Sequence, residues 1–482
     1  MLGVVNVLGL MLMLFSVSYV LPVIAGVLSG DGTALRFAVS GIASAALGGA
    51  ILLATRHRAR ELKPRDGFLL LTVGWLMMSA AATLPLLWVL PQLSFTHAFF
   101  ETMSGLSTTG STVLTGLDHL PPSLNLWRAT LQWCGGLAIV VLAIALLPLL
   151  GVGGMQLYRG EAPGAVKEEK LTPRIMETVK SLWLAYSTIT VLGIVALRIC
   201  GMSWFDAICH CFSAVSLSGF STHDASIRFF HSAAVELTLA AIMVVAALSF
   251  ARHLVALRRL SLAPYAGDPE AKAILLLLGA SVLGIALLLR FHAVYPSFLL
   301  SLRHALFNVV SIATTSGLVS EDYTRWPVFA PFWMLFLCCI LCSTGSPGGG
   351  IRMFRTLLLS RQAGRELKLL VHPSAVAPVR IGGRPVPERV GDSVLAFIFL
   401  YFMTAAALTF VLLLTGLDFQ SSLGATLASI NNTGVGLGVV GPFKTYAALS
   451  PLQIWICTLA MLLGRLEIFG VLVLFTPAFW RK

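Results

Sequence analysis

The sequence predicts an all-α polytopic membrane protein with about ten transmembrane helices and four re-entrant pore helices. Hydrophobic residues make up 57% of the 482 positions and charged residues only 11%, whereas a soluble globular domain is about 25% charged. Apolar runs of about 20 residues, long enough to cross the hydrocarbon core as helices, recur along the whole chain. We therefore expect one membrane-embedded unit rather than a string of soluble domains.

Apolar length places ten predicted spans along the chain. They lie near residues 4–28, 35–54, 67–90, 127–150, 179–199, 231–250, 271–291, 328–358, 392–415 and 450–479. The first basic residue is Arg36, so nothing charged precedes the first apolar run. A secretory signal peptide needs such a charged start, and we interpret the first run as a retained span.

Basic residues are distributed unevenly between the predicted loops. If the N-terminus is cytoplasmic, the inside segments hold 24 of the 33 lysine and arginine residues. The positive-inside rule then predicts that both termini are cytoplasmic. The net charge of +12 is therefore mostly a topology signal, and we expect these segments to meet membrane lipid and no nucleic acid.

Four polar turns recur between the apolar runs, and we call them the filter turns: STTGST (107–112), SLSGFS (216–221), TTSGLV (314–319) and NNTGVG (431–436). Each glycine follows a hydroxyl residue directly, and the positions three, six and twelve before it are polar, small and small, respectively. One such turn is typical of close packing and a helix C-cap. Four in register indicate four copies of one element, a span, a short helix, a turn and a second span.

These copies divide the chain into five predicted segments. Two extra N-terminal spans occupy 1–66, and pore repeats one to four occupy 67–178, 179–270, 271–391 and 392–482.

The chemistry of the filter turns favours a monovalent cation. A helix that enters halfway and stops points its partly negative C-terminus at the midplane, and the glycine beyond it permits backbone geometry that faces carbonyl oxygens to an axis. A carbonyl ring can replace an ion's hydration shell. The turns contain no Asp or Glu, the ligands on which Ca²⁺ and Mg²⁺ depend. Just beyond them, Asp118, Asp224, Glu321 and Asp322 predict a mostly acidic outer mouth, with Lys444 in the fourth repeat.

Two features below the filter turns predict a gate. The eighth span is interrupted by Ser343 to Gly350, which we call the gate loop, and its proline and four glycines disfavour a continuous helix; a static kink is the alternative. Arg465 lies inside the tenth span, where it costs about 2.5 to 3.5 kcal/mol, so we expect it in the pore rather than in a structural ion pair. Glu467 would lie roughly 200° around the same helix and would be a poor partner.

Other motifs fail their structural context. Residues 436–441 match GxGxxG, but they follow a filter turn and precede Pro442 instead of joining a strand to a helix. Consecutive Cys209, His210 and Cys211 would point about 100° apart on a helix and cannot converge on one metal ion. We predict neither catalytic residues nor a structural metal, and therefore no enzyme.

At these residues the chain resembles the Trk/Ktr potassium transporter superfamily. The resemblance covers almost the whole chain and is densest in residues 103–110, 147–164, 170–183, 219–224 and 461–470. It implies four non-identical repeats after two extra spans, a homodimer in the bacterial inner membrane, and potassium as the transported ion. It also implies a cytoplasmic ring of TrkA-like regulatory subunits, which bind NAD(H) and adenine nucleotides, so that nucleotides are expected on the partner alone.

The resemblance also implies which residues coordinate potassium and which form the gate. Carried over by position, the potassium-coordinating residues are Thr108, Thr109, Gly110, Leu217, Ser218, Gly219, Thr315, Ser316, Gly317, Asn432, Thr433 and Gly434. The gate consists of Gly345, Ser346, Pro347, Gly348, Gly349, Gly350 and Arg465. Three segments depart from the family's usual pattern. The second filter turn has LSGF (217–220) where TGGF or TAGF is usual, and the third has TSGL (315–318) where TTGF is usual. The gate loop has CSTGSPGGG (342–350) where a run near GCAGSTGGG is expected. These departures bear on potassium over sodium selectivity and on gating kinetics.

The first functional hypothesis is therefore a channel-like potassium uptake translocator. The alternative is a symporter that couples K⁺ to H⁺ or Na⁺, which the scarcity of ionisable groups at midplane depth disfavours. A third hypothesis, a passive membrane scaffold, predicts no cation flux.

Overall fold

The computed structural model describes residues 2–56, 64–142 and 171–481. Within these ranges the chain is predominantly helical, which confirms the coarse prediction, and the strands are two short ones, β1 (Arg380–Ile381) and β2 (Arg384–Pro385), paired antiparallel. The end of the predicted fourth span, after residue 142, and the segment 147–164 lie outside the described residues.

The first apolar run and the second pack together through small residues. Helices α1 (Leu2–Phe15) and α2 (Val20–Ser29) form one span through a short 3-10 turn, and α3 (Ala34–Thr55) follows. A Cβ atom added to Gly48 would lie 2.7 Å from the carbonyl oxygen of Gly9. Glycine at this crossing lets the two backbones approach closely, as is common between membrane helices.

The helices after α3 follow in order. They are α4 (Pro64–Val89), α5 (Phe95–Leu106), α6 (Pro122–Val141), α7 (Leu171–Ile199), α8 (Trp204–Ser216), α9 (Ala233–Ala247), α10 (Phe250–Arg259), α11 (Ala263–Ala266), α12 (Pro269–Phe291), α13 (Phe298–Ala313), α14 (Phe329–Ile340), α15 (Met353–Val371), α16 (Glu388–Leu414), α17 (Phe419–Ile430), α18 (Pro451–Arg465), α19 (Phe469–Leu472) and α20 (Pro477–Trp480).

The described residues bear out only part of the ten predicted spans. Among the described residues, six helices are long and apolar enough to cross a membrane, and eight if each sharply bent pair counts as one span. The predicted fourth span runs past the described residues, and α14 ends at Ile340, where the predicted eighth span was to continue to residue 358. The tenth prediction is wrong as a continuous span, because α18 ends at Arg465 and the chain bends by 105° before Phe469.

Helices α5, α8, α13 and α17 are the short helices that precede the filter turns, and we call them the pore helices. They have 12, 13, 16 and 12 residues, or about 18 to 24 Å at 1.5 Å per residue, less than the roughly 30 Å hydrocarbon core. Each begins at a side-chain N-cap that accepts a backbone amide hydrogen three residues on; the caps are Ser94, Ser203, Ser297 and Asp418. Such caps satisfy amides that the first helical turn leaves unpaired.

The pore helices are held in a closed ring of helix contacts. Each packs against the two helices that flank it in the sequence, and the helix that follows each filter turn also packs against the next pore helix. These second contacts are α6 with α8, α9 with α13, α14 with α17, and α18 with α5. The last contact returns to the first pore helix, so the four filter turns are brought to one centre.

Candidate ion-conduction site

The four filter turns share one backbone conformation. The residue two positions before each glycine is left-handed, with φ of 54°, 53°, 63° and 54° at Thr108, Leu217, Thr315 and Asn432. The next amide donates to the carbonyl oxygen five residues earlier, and the pairs are Thr109 to Ser104, Ser218 to Ser213, Ser316 to Ser311 and Thr433 to Ala428, at 2.8 to 2.9 Å. This is a helix C-cap, and its acceptors are the small residues that recur six positions before the glycines.

The four filter glycines lie side by side in chain order. A Cβ atom added to Gly110 would lie 2.2 Å from the amide nitrogen of Gly219. A Cβ atom on each of the other three glycines would lie within 3 Å of a carbonyl oxygen of the next turn. These distances are 2.9 Å from Gly219 to Ser316, 2.0 Å from Gly317 to Thr433 and 2.3 Å from Gly434 to Thr109. Each turn therefore touches the next, and the fourth touches the first. Backbone oxygens of three turns lie within this ring.

Nearly all the predicted filter residues are buried. Gly219 is half-buried and the other eleven are buried. The side-chain oxygens of Thr108, Ser218 and Thr433 are buried without a protein hydrogen-bond partner. Buried hydroxyls are normally paired, so these three are unusual among the described residues.

The side chains do not repeat the symmetry of the backbone. Asn432 donates to Thr109 Oγ1 over 2.9 Å and to the carbonyl oxygen of Met461 over 3.0 Å, and Thr315 Oγ1 accepts from the amide of Gly349 over 3.2 Å. Leu217, at the same position of the second turn, offers no such group. The common feature is therefore the backbone, and the LSGF departure leaves its geometry unchanged.

A cavity of about 190 Å³ opens beyond the ring and is lined by all four filter glycines. The acidic residues predicted there are partnered. Asp118 binds His223, Asp224 accepts from the amide of Leu117 over 3.2 Å, and Asp322 pairs with Arg325 at 3.3 Å. Two of these carboxylates have basic partners, and all three hold loop segments together.

The gate loop lies directly against two filter turns. A Cβ atom added to Gly349 would lie 2.1 Å from the carbonyl oxygen of Asn431, and one on Gly348 would lie 3.2 Å from Thr315 Oγ1. The amide of Phe250 donates to the carbonyl oxygen of Gly345 over 3.2 Å. Ser346 is buried and donates from its hydroxyl to the carbonyl oxygen of Ser343. A side chain at Gly349 would collide with the fourth filter turn, and one at Gly348 would collide with the Cys342 thiol.

Arg465 reaches the gate loop from the end of α18. Its Nη1 donates to the carbonyl oxygen of Pro347 over 2.6 Å and its Nη2 to that of Gly135 over 3.2 Å, and the side chain is buried. Both partners are neutral carbonyls. The expectation of an interior position holds for the structure, and the positive charge lies where the gate loop meets α6.

Sequence reasoning missed the carboxylates around the gate loop. Glu270 Oε2, at the start of α12, accepts from Ser343 Oγ over 2.9 Å and from the amide of Thr344 over 2.8 Å.

Glu467 pairs with Arg355 at 2.6 Å and with Arg352 at 3.5 Å. Glu467 is not a partner of Arg465, but the reason differs from the predicted one: the helix has already ended between them. The available signal in the sequence was the position of Glu270 and Glu467 at or inside apolar runs, where a carboxylate needs a partner.

The three consecutive candidate ligands of α8 separate as expected of helical neighbours. Cys211 Sγ contacts the carbonyl oxygen of Thr190, whereas His210 Nε2 lies 2.9 Å from Ser221 Oγ. Among the residues that the structure describes, no group of three or more His, Cys, Asp or Glu side chains could hold a metal ion.

Comparisons with known proteins agree with this architecture. The family model described as "TrkH: Cation transport protein" matches residues 34–482. The Trk system potassium uptake protein TrkH of Halomonas elongata is 44% identical over 480 residues, covering 99% of both chains, and that of Escherichia coli K12 is 41% identical over 481 residues, covering 100% of this chain and 99% of the other. The crystal structure of the potassium transporter TrkH from Vibrio parahaemolyticus superposes with a TM-score of 0.91 at 38% identity, covering 100% of this chain and 99% of the other. The chain therefore belongs to the TrkH family of cation transport proteins, and the prediction of a transporter rather than an enzyme is confirmed.

Proposed function

We propose that this chain is a potassium uptake translocator of the bacterial inner membrane. Potassium ions partly dehydrate in the ring of filter turns, pass the gate loop and Arg465, and enter the cytoplasm, driven mainly by the membrane potential. The observation that carries the proposal is the closed ring of four glycines, with each turn in contact with the next. The names of the full-length relatives, potassium uptake proteins of Trk systems, support potassium as the ion.

The ring suits a monovalent cation because it is built from neutral groups. Carbonyl oxygens of Thr109, Ser316 and Thr433 lie beside the filter glycines, and a set of such oxygens replaces the hydration shell of K⁺. Each pore helix ends at the ring, so its C-terminal partial negative charge adds to the attraction. A divalent ion would be expected to require carboxylates, and the filter turns have none.

The gate loop and Arg465 form the proposed gate. Gly348 and Gly349 press against the third and fourth filter turns, which places a backbone obstruction next to the ring. Arg465 adds a positive charge held by the carbonyl oxygen of Pro347. A cation leaving the ring toward the cytoplasm would meet both. Conduction therefore requires the gate loop and the Arg465 guanidinium to move out of the ion path.

The proposed assembly extends beyond this chain. We infer a homodimer with both termini cytoplasmic, surrounded by lipid, and a cytoplasmic ring of TrkA-like subunits that carries the nucleotides. The relatives are named as proteins of a Trk system, which supports a multi-component uptake system.

A reconstituted flux assay tests the proposal. Purified protein in vesicles should take up ⁸⁶Rb⁺ under an inside-negative potential, and external K⁺ should compete more strongly than Na⁺ or Li⁺. Protein-free vesicles are the control. The absence of protein-dependent flux would support a passive scaffold instead, and equal competition by Na⁺ and K⁺ would overturn the assignment of a potassium filter.

One observation favours the symport alternative. Glu270 is a buried carboxylate hydrogen-bonded to the gate loop, and a buried carboxylate in a membrane protein is a candidate proton carrier. A pH gradient imposed at zero membrane potential distinguishes the two functions. It should drive no Rb⁺ flux through a translocator, whereas a proton symporter would accumulate Rb⁺ and lose that accumulation in E270Q. Replacing the pH gradient with a Na⁺ gradient tests sodium coupling.

A further inference from the structure

Three of the four pore helices fasten the chain segment that follows their own filter glycine. The fastening side chain stands nine positions before the glycine in each case: Glu101, His210 and Asn308. Glu101 Oε2 accepts from the amide of Val113 over 2.9 Å, His210 Nε2 lies 2.9 Å from Ser221 Oγ, and Asn308 Oδ1 accepts from the amide of Ser320 over 3.2 Å. All three side chains are fully buried or nearly so, with at most 1% exposed.

In the fourth repeat the pore helix contacts the following segment through its backbone instead of a side-chain hydrogen bond. Ala425 stands nine positions before Gly434, and its methyl group cannot form a hydrogen bond. Its neighbour Gly424 instead lies against the following segment, where an added Cβ atom would be 2.5 Å from the amide nitrogen of Leu437. In every repeat a segment that follows the filter glycine therefore lies against its own pore helix.

In the first repeat the side chain nine positions before the filter glycine, Glu101, also forms a buried ion pair. Arg128 Nε, on α6, donates to Glu101 Oε1 over 2.8 Å, and both side chains are about 1% exposed. Nη1 of the same guanidinium donates to the carbonyl oxygen of Ser221 over 3.0 Å, and its centre lies 4.2 Å from the Phe220 ring. Ser221 ends the second filter turn. The Glu101–Arg128 pair thus joins the first filter turn to the second.

We propose that Glu101 and Arg128 are positioning residues that set the potassium over sodium selectivity of the filter, an inference that rests on the proposed potassium translocation. Neither residue touches the ring of glycines, so each acts through the segments it holds. A carbonyl ring discriminates against the smaller Na⁺ when its oxygens cannot close in on that ion. The pair fixes the distance between two adjacent turns, and without it the ring is freer to contract around Na⁺.

The position of Arg128 separates this role from a simple electrostatic one. Arg128 lines the outer cavity, so E101Q leaves an unneutralised positive charge near the ion path, whereas R128Q leaves a negative one. An electrostatic role predicts opposite changes in cation flux and no common change in selectivity. Loss of the positioning contact predicts that both variants lose selectivity, whichever way their flux changes.

The test is ⁸⁶Rb⁺ uptake into vesicles with Na⁺ competition, on the full chain and on E101Q, R128Q and the double variant. We expect the Na⁺ concentration that halves uptake to fall about tenfold relative to that of K⁺ in each single variant, which corresponds to 1.4 kcal/mol, and the double variant to match the singles because the pair acts as a unit. The matched control is E236Q. Glu236 pairs with Arg303 through two hydrogen bonds of 2.8 and 3.0 Å, and among the described residues no hydrogen bond or ion pair joins it to a filter turn. The selectivity of E236Q should therefore remain that of the unaltered chain.

E101Q and R128Q each leave a buried charge without its partner, which is strongly destabilising, so the test also includes a variant that removes no charge. N308A then decides the matter: it removes an uncharged contact of the same kind in the third repeat and should also lower selectivity. Unchanged selectivity in folded E101Q and R128Q, or in N308A where those two do not fold, would overturn the inference. If the unaltered chain carries no Rb⁺, the proposed function itself fails; if it is selective and the variants are equally so, this inference alone fails.

Discussion

Arg465 donates a hydrogen bond of 2.6 Å to the carbonyl oxygen of Pro347, a residue 118 positions earlier in the chain. The contact joins the end of α18, which follows the fourth filter turn, to the gate loop, which follows the third. Through Nη2 the same guanidinium binds the carbonyl oxygen of Gly135 on α6. One side chain therefore joins three chain segments, which follow the first, third and fourth filter turns.

Removing this tie should open the path. In R465A two hydrogen bonds from a charged donor disappear, each worth about 1.5 to 3 kcal/mol, together with the positive charge itself. We expect the resting leak of Rb⁺ to rise about tenfold or more. R465K keeps the charge but loses the two-pronged contact, and its leak should be intermediate. The control is R290Q, at the exposed end of α12. A leak in R465A no larger than in R290Q would rule out the gate role.

Substitution of a filter glycine should abolish uptake. In G317A the new methyl group would lie 2.0 Å from the carbonyl oxygen of Thr433, and the backbone φ of 75° adds strain of about 1 to 2 kcal/mol. G434A meets Thr109 in the same way. The matched controls are G279A and G284A on α12, where nothing lies within 4 Å. Rb⁺ uptake at equal membrane expression is the measurement, and normal selective uptake in G317A would contradict the ring geometry.

Loss of the Glu270 carboxylate should loosen the gate loop from the other side. Glu270 Oε2 accepts two hydrogen bonds from Ser343 and Thr344. In E270A the Thr344 amide is left unpaired in a buried site, which costs about 1 to 3 kcal/mol, and Ser343 Oγ keeps only its 3.4 Å contact with the carbonyl oxygen of Thr344. We expect a raised Rb⁺ leak under a fixed potential. E388Q, at an exposed residue of α16, is the control, and an unchanged leak in E270A would show that the tether does not hold the gate closed.

The outer loops should be joined in a pH-dependent way through His223. Burial opposes protonation of this ring, but hydrogen bonds to Asp206 and Asp118 and their negative charges raise the pKa of His223 above its usual value. The ring also stacks on Phe229 with centroids 3.5 Å apart. Because the folded pKa exceeds the unfolded one, about 6.5, the added stability is fully present below pH 6.5 and is lost as pH rises through the folded pKa.

Thermal unfolding of the chain and of H223Q from pH 6 to pH 9 checks this expectation. The difference in midpoint temperature should be largest near pH 6 and should shrink toward alkaline pH. H292Q provides the comparison, since His292 is exposed at the end of α12. A difference that is constant with pH would mean that His223 contributes packing alone.

Much of the architecture follows from the sequence because it depends on local chemistry. Apolar length requires helices, since a bilayer offers no partner for free backbone groups. The small residue six positions before each filter glycine accepts the capping hydrogen bond of the turn, which is why its recurrence revealed the four turns. Residues 343–350 could not remain helical, and α14 ends before them.

Other features depended on contacts between distant segments. The ring is closed by Gly434 against Thr109, and Glu101, Glu270 and Glu467 gain their partners from 27, 74 and 112 residues away. A charged residue near an apolar run shows that something must compensate it, but the sequence does not say which group. The chain by itself determined a helical membrane protein with four glycine turns. Only the tertiary structure decided which turn touches which, because those contacts are fixed by packing between helices far apart in the sequence.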